Sequence, residues 1–251
     1  CGVIAGCEGW ADIAQHAQDR EAWFRKSLIL ENGIPHNDTF RRLYERLCPI
    51  AFQRLLIAVA ESLRETFEGA IISIDGKALR HSFDRKIGQN HVHLVSAYDG
   101  HSGVTLAQVA TATKSNEITA IPKLLELVDI SGATVTLDAM GCQTDIAKEI
   151  VKRDGDYIIS LKGNQSKLHD QVREYFSDVT MEYLESKPSS SMLYTVEKGH
   201  GRIEERAYVI IQDIDWIEGR SKWEKFNCIG MVISRRTVKS EVSEERRHFI
   251  T

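Results

Sequence analysis

Two aspartates, Asp75 and Asp138, each directly follow an apolar run with the composition of a buried β-strand. Ligands of open α/β sheets bind at the carboxyl ends of strands, so two such strands as neighbours would bring both carboxylates to one edge. Close carboxylates raise each other's pKa unless a cation intervenes, and Mg²⁺ prefers carboxylate oxygens, waters and phosphates as ligands. We therefore predict a divalent-metal site at Asp75 and Asp138. The alternative for either aspartate alone is a cap between strand and loop.

Cationic and amide side chains near these positions suggest phosphate contacts. Lys77 and Arg80 follow Asp75, while Lys162 and Asn164 lie where a strand gives way to a helix. Backbone N–H groups at such a helix start, together with a lysine, suit a phosphate. We predict phosphate contacts for these four residues, against ordinary surface charge for the first two and a simple N-cap for Asn164.

The first 68 residues have the pattern of a helical module. Apolar residues recur at helical spacing in three segments, and the third begins after Pro49. The three sets are Trp10, Ile13 and Ala17; then Phe40, Leu43 and Leu47; then Phe52, Leu55, Leu56, Val59 and Leu63. Three short helices fit either a helix-turn-helix DNA reader or a packing module, and the surplus of acidic residues favours the latter.

Residues 69–251 read as alternating strands and helices, and we predict that they form one domain. Three consecutive strands precede a helix, a strand, a helix, a strand and a further helix, and β-rich segments follow beyond residue 190. The order of three meandering strands and then crossovers is that of an RNase H-like sheet, among several α/β arrangements that it permits. The expected fold is therefore α/β: a mixed sheet flanked by helices, with a C-terminal β-rich, insertion-like region.

The composition is that of an ordinary globular protein and does not by itself indicate nucleic-acid binding. The net charge is −4, although residues 220–247 hold eight Lys or Arg against four Glu. The longest apolar run, near Leu55–Ala60, is too short to span a bilayer, and no secretory leader is visible. Five cysteines without zinc-ligand spacing suit a reducing compartment, so we expect a cytoplasmic protein. The chain opens on Cys1 rather than Met, and we expect a natural start further upstream.

Several blocks together resemble the bacterial H-repeat-associated transposases, an insertion-sequence family of DDE type. The blocks are Ile74–Lys77 with Arg80, Lys114–Ile118 with Ile121 and Pro122, Leu137–Gln143, Leu161–Gln165 and Gly199–Glu204. In addition, Glu31–Pro35 with Asp38–Phe40 is similar to the helical segment that precedes the catalytic domain in that family. The resemblance runs in collinear order across nearly the whole chain.

The resemblance implies an RNase H-like fold, hydroxyl attack on DNA phosphodiesters, and Mg²⁺ or Mn²⁺ as cofactor, with two ions expected. Asp75 and Asp138 match the first and second catalytic aspartates. Glu204 is a candidate for the third carboxylate, although its strand-like surroundings differ from the helix expected for that ligand. His200 and Arg202, from the same block, are implied DNA contacts. The implied partners are double-stranded insertion-sequence ends and target DNA, with a homodimer expected and the protein at the nucleoid.

Two alternatives accompany the reading as a strand-transfer enzyme. Relatives of this family carry a His-Trp-x-Ile-Glu-Asn segment further downstream, and this sequence stops before such a segment. On the first alternative, the chain is therefore a truncated, inactive remnant that binds DNA or oligomerises. The other alternative is an RNase H-like nuclease that cuts without joining. The sequence contains no GxSxG, HExxH, Walker A or GxGxxG motif, which disfavours other catalytic classes.

Overall fold

The computed structural model describes residues 2, 5–64, 69–79, 92–111, 117–178, 186–199, 201–239 and 241–251. The chain divides into two compact units, Cys1–Leu56 and Ile57–Thr251. Within the described ranges, no helix combines the length and the apolar character that a membrane crossing requires.

The first unit is helical, as its apolar spacing predicts. It contains α1 (Trp10–Asp19), α2 (Glu21–Phe24), α3 (Asn37–Arg46) and the beginning of α4 (Pro49–Ser62). Aromatic contacts join three of them: the Trp10 and Tyr44 ring centroids lie 5.1 Å apart, and those of Tyr44 and Phe52 lie 5.7 Å apart. The N-cap of α3 is His36, whose ring accepts a hydrogen bond from the Asp38 N–H.

The second unit contains a mixed nine-stranded sheet among its described residues. The strands are β1 (Ile71–Ala78), β2 (His93–Asp99), β3 (Val104–Thr111), β4 (Thr134–Leu137), β5 (Asp156–Leu161), β6 (Ser190–Gly199), β7 (Arg202–Ile211), β8 (Ile229–Val238) and β9 (Glu241–Ile250). Their order across the sheet is β3-β2-β1-β4-β5-β9-β8-β7-β6. The pairs β1–β4 and β4–β5 are parallel, and the other neighbours are antiparallel.

Helices α5 (Glu117–Leu125), α6 (Thr144–Lys152) and α7 (Ser166–Asp178) flank this sheet. Each buries an apolar stripe, for example Leu124 of α5, Ile150 of α6 and Val172 of α7. These side chains share one core with central strand residues such as Val135 and Ile159. The prediction of an α/β chain with a large mixed sheet flanked by helices is confirmed.

Strand β9 joins the two halves of the sheet, and the sequence pattern did not indicate it. Its end pairs with β5, with Ile250 opposite Ile159 and His248 opposite Leu161. Residues 241–247 are all exposed, so this part of the strand lacks the alternation by which strands are recognised. The β-rich C-terminal region therefore continues the same sheet.

A buried ion pair connects the end of α4 to the turn between β2 and β3. The Arg64 Nε lies 3.5 Å from the Asp99 Oδ2, both side chains are inaccessible to solvent, and the Arg64 Nη1 donates to the Asp129 carbonyl at 3.0 Å. Burial opposes ionisation of Asp99. Hydrogen bonds from His101 and Ser102, with the Arg64 charge, outweigh that effect and lower the pKa of Asp99 below its ordinary value.

Candidate active site at the β1 and β4 carboxylates

The two predicted metal-binding aspartates lie side by side on neighbouring parallel strands. Ile74 of β1 pairs with Leu137 of β4, and each aspartate is the next residue along the chain. Adjacent strands are about 4.8 Å apart, so the Cα atoms of Ile74 and Leu137 are separated by roughly that distance. Both residues are exposed. The sheet therefore juxtaposes Asp75 and Asp138.

One detail of the strand assignment was wrong. The sequence pattern ended the first strand at Asp75, whereas β1 continues to Ala78 and Asp75 pairs with Ser96 of β2. Strand β4 does end at Leu137, immediately before Asp138. Asp75 therefore lies where β1 loses its neighbour on the β4 side while its pairing with β2 continues.

Each carboxylate has one oxygen engaged by nearby backbone. The Asp75 Oδ1 accepts a hydrogen bond from the Gly76 N–H at 2.9 Å. The Asp138 Oδ1 accepts from the Met140 N–H at 2.9 Å and the Gly141 N–H at 3.4 Å, within the 3₁₀ turn Ala139–Gly141. In the part of the chain that the structure describes, neither Oδ2 has a hydrogen-bond partner. Among the described residues, one oxygen of each aspartate is thus not occupied by a protein donor.

This donor set fits Mg²⁺ or Mn²⁺. Mg²⁺ is commonly held by one or two carboxylates and completes its coordination with waters and substrate phosphates. The described residues contain no group of three or more His, Cys, Asp or Glu arranged to hold a metal. A site built on Asp75 and Asp138 is therefore a two-carboxylate site that relies on other ligands.

A buried glutamate lies against the backbone next to Asp75. Glu117, the first residue of α5, is only 6% exposed. A Cβ added at Gly76 would lie 2.4 Å from the Glu117 Oε1. The Glu117 carboxylate therefore occupies the space beside Gly76, and a side chain at position 76 would displace it.

A groove of about 490 Å³ opens beside Asp138. Its lining comes from the ends of β4 and β5, from α7 and from β9: Asp138, Ala139, Ser160, Leu161, Lys162, His169, Glu245, Arg246, Arg247 and His248. The arginines are paired, Arg247 with Glu245 at 2.8 Å and Arg246 with Glu244 at 3.1 Å. The hydrogen bond from Arg247, together with its charge and that of Lys162, lowers the pKa of Glu245.

The segment after β5 supplies both a groove residue and a set of contacts to the Asp138 turn. Lys162 is exposed and lines the groove. The Asn164 Nδ2 donates to the Ala139 carbonyl at 2.6 Å, and the Gln165 Nε2 donates to the Cys142 carbonyl at 2.9 Å. Asn164 thus contacts the Asp138 turn through its side chain and does not cap a helix.

Glu204 is not brought to the aspartate pair. It lies in β7, and four strand spacings of about 4.8 Å each, roughly 19 Å along the sheet, separate β7 from β4. Its carboxylate is only 17% exposed and pairs with two arginines, with the Arg202 Nε at 2.7 Å and with Arg206. Arg202, an expected DNA contact, is therefore engaged with Glu204.

The structure describes some of the remaining residues that were predicted to contact DNA. Lys77 is exposed on β1, two residues beyond Asp75. Arg80 and His200 lie outside the described residues. The DNA-contact roles of Lys77, Lys162, Asn164 and Arg202 stay predictions.

Three features of the site could not be read from local sequence. Arg246 and Arg247 were visible only as part of a basic run, because β9 itself was not recognised. The Glu117 position depends on how α5 meets β1. Gln165 stood within a block of the family resemblance, but its bond to Cys142 depends on two turns meeting across the sheet edge.

Comparisons with known proteins identify the family to which the chain is similar. Residues 66–238 match the family model described as "Transposase DDE domain", and residues 1–60 match the model described as "DDE_Tnp_1-associated". The "Uncharacterized protein in dhlA 3'region" of Xanthobacter autotrophicus is 39% identical over 100% of this chain and 83% of its own length. The "H repeat-associated putative transposase YhhI" of Escherichia coli K12 is 35% identical over 98% of this chain.

The chain belongs to the DDE transposase family, and its resemblance to the H-repeat-associated transposases is confirmed. It spans 64% of the length of the Escherichia coli relative. A solved piggyBac transposase synaptic complex with hairpin DNA aligns over 62% of this chain and 36% of its own, at 13% identity and a TM-score of 0.32.

Proposed function

We propose that Asp75 and Asp138 bind Mg²⁺ or Mn²⁺ in an RNase H-like catalytic domain that cleaves and joins DNA at the ends of an insertion sequence. The observation that carries this proposal is the register of β1 against β4, which puts the two aspartates side by side. The strand order β3-β2-β1-β4-β5, with three antiparallel strands and two parallel ones, supports the RNase H-like assignment. Transposase-named relatives support the reaction class.

Asp75 and Asp138 would hold the metal, which would supply activation of an attacking hydroxyl oxygen and stabilisation of the leaving oxygen of the phosphodiester. The chain itself holds the carboxylates in place for this chemistry. The N–H groups of Gly76, Met140 and Gly141 each fix an Oδ1, so that an Oδ2 of each aspartate remains available as a ligand. Because both carboxylates are exposed at the sheet edge, a DNA duplex can approach them.

The DNA backbone would lie in the groove beside Asp138. Lys162, Arg246 and Arg247 line it, and phosphates can replace the glutamates that now pair with the two arginines. Lys77 would contact phosphate on the other side of the aspartate pair. Residues 69–251 would then form the catalytic domain and residues 1–68 an accessory helical module, acting on double-stranded DNA in the bacterial cytoplasm.

Metal binding by the full chain tests the proposal most directly. Mn²⁺ titrations would compare the unchanged protein with Asp75→Asn and Asp138→Asn. We expect each substitution to weaken binding at least about tenfold, because half of the carboxylate set is lost. Asp156→Asn is the matched control, since Asp156 is an exposed aspartate at the opposite end of β5. Glu204→Gln should also leave Mn²⁺ affinity unchanged.

If Asp75→Asn and Asp138→Asn bound Mn²⁺ as well as the Asp156→Asn control, the metal site would lie elsewhere. A loss of affinity in Glu204→Gln equal to that of the aspartate variants would contradict the separation inferred from the sheet. Cleavage of a labelled terminal-repeat duplex in Mn²⁺, scored for joined as well as cut products, then separates strand transfer from simple nuclease activity.

A further inference from the structure

The turn that carries Asp138 is held at both ends by side chains from the neighbouring strand's exit. After β5, the 3₁₀ turn Gly163–Gln165 lies at the same sheet edge as the turn after β4, since Leu137 pairs with Ile159 in parallel register. The Asn164 Nδ2 donates to the Ala139 carbonyl at 2.6 Å, and the Gln165 Nε2 donates to the Cys142 carbonyl at 2.9 Å.

These two carbonyls bracket the N–H groups that hold Asp138. Met140 and Gly141 lie between Ala139 and Cys142, and their N–H groups donate to the Asp138 Oδ1. A connected set of hydrogen bonds therefore runs from the amides of Asn164 and Gln165, through one turn of backbone, to the carboxylate. Only a side chain that donates a hydrogen bond can take part, because both acceptors are carbonyl oxygens.

We propose that Asn164 and Gln165 are positioning residues for the Asp138 carboxylate. They fix the Ala139–Gly141 turn, which in turn orients Asp138 so that its second oxygen faces outward. This inference rests on the proposed metal role of Asp138, and it replaces a DNA-contact role for Asn164. Partners that orient a metal ligand typically change metal affinity by about 10–100-fold when they are removed.

The variants Asn164→Leu and Gln165→Met remove the donors while nearly keeping side-chain size and adding no charge. Matched controls are Asn227→Leu and Gln212→Met, because both positions are exposed and lie away from the Asp138 turn. Three quantities would be measured on the full chain: hydrogen exchange of the Met140 and Gly141 amides, Mn²⁺ affinity, and DNA affinity without metal.

We expect faster exchange at both amides and a loss of Mn²⁺ affinity of about tenfold in Asn164→Leu, with DNA affinity unchanged. The effect should vanish when Asn164→Leu is combined with Asp138→Asn, because the residue acts only through that carboxylate. The thermal unfolding midpoint of Asn164→Leu should match that of Asn227→Leu. A lower midpoint in Asn164→Leu would instead indicate a general structural role for Asn164.

Weaker DNA binding with unchanged amide exchange would make Asn164 a DNA contact and overturn the inference. Unchanged exchange at Met140 and Gly141 in both variants would also overturn it. If the unchanged protein showed no Asp138-dependent Mn²⁺ binding, the proposed function would fail, whereas amide exchange would still decide whether these amides hold the turn.

Discussion

At the scale of single residues, the two aspartates are held by different means. Asp75 lies within a continuous strand, so its position follows from the β1–β2 ladder on one side. Asp138 follows the last residue of β4, and its orientation depends on a turn and on amides from another turn. We therefore expect Asp138 to be the more sensitive of the two to substitutions outside the pair.

Gly76→Ala tests how tightly the residue after Asp75 is packed. The new methyl group would lie 2.4 Å from the buried Glu117 Oε1, so the Glu117 side chain, β1 or α5 must shift. Overpacking of this kind costs about 1–3 kcal/mol, and we expect that loss in the free energy of unfolding measured with urea. Mn²⁺ affinity should fall as well, because the displaced backbone carries Asp75.

Gly163→Ala is the control for this substitution. No atom lies within 4 Å of a Cβ placed at Gly163, which also belongs to a turn beside the site. Its free energy of unfolding should change by less than about 0.5 kcal/mol. Equal effects of the two substitutions would show that Glu117 does not restrict position 76.

At the scale of elements, the sequence predicts what local pattern determines. The strands before Asp75 and Asp138 are apolar runs, and α6 and α7 have clear helical spacing, so these elements and the aspartate pair could be foreseen. Strand β9 could not, because residues 241–247 are charged or exposed at every position. Its place is fixed instead by pairing with β8 over ten residues, a contact invisible to local periodicity.

For helix α4, the sequence predicts the element but not the burial of its apolar face. Its apolar spacing predicts a helix with a buried face, and the helix is present from Pro49 to Ser62. Yet Leu55, Leu56 and Val59 are 58%, 53% and 49% exposed, while the small Ala60 is buried. Periodicity identifies an apolar stripe, but it does not say which neighbour covers the stripe.

The buried Arg64–Asp99 pair is the contact between elements whose loss we expect to cost most. Arg64→Met would leave the Asp99 charge buried without its cation, which typically destabilises by about 3–5 kcal/mol. Urea unfolding would measure that loss. Arg173→Met is the comparison, since the Arg173–Asp170 pair on α7 is exposed, and it should cost less than about 1 kcal/mol. Similar costs for both would mean that Asp99 is satisfied by His101 and Ser102 alone.

At the scale of the whole sheet, its continuity depends on a short joint. Strands β6 to β9 pair over ten residues each, but β9 meets β5 through only three residue pairs. His248 lies at this joint opposite Leu161 and Met231, and its ring stacks on Phe176 of α7 at a centroid distance of 5.9 Å. The joint therefore contains a buried titratable group that adjoins the Asp138 groove.

Burial, reinforced by the nearby charges of His169, Arg173 and Arg246, lowers the pKa of His248 to about 4. An unfolded chain binds that proton near pH 6.5, so between pH 6.5 and 4 the unfolded state holds more protons than the folded state. Stability must then rise with pH across this window and fall as the solution is acidified. The loss from pH 7.5 to 5 should be about 2 kcal/mol from this group.

Urea unfolding at pH values between about 4.5 and 7.5 would measure how the free energy of unfolding depends on pH. In His248→Gln the free energy of unfolding should vary less between pH 7.5 and about 5, by about 2 kcal/mol, whatever the substitution costs at neutral pH. His101→Gln, at an exposed histidine in the β2–β3 turn, should keep the full dependence. If His248→Gln kept the full pH dependence as well, His248 would not be its source. Water would then have to reach the place where β9 meets β5, because only a solvated His248 would bind its proton equally well in the folded and unfolded states.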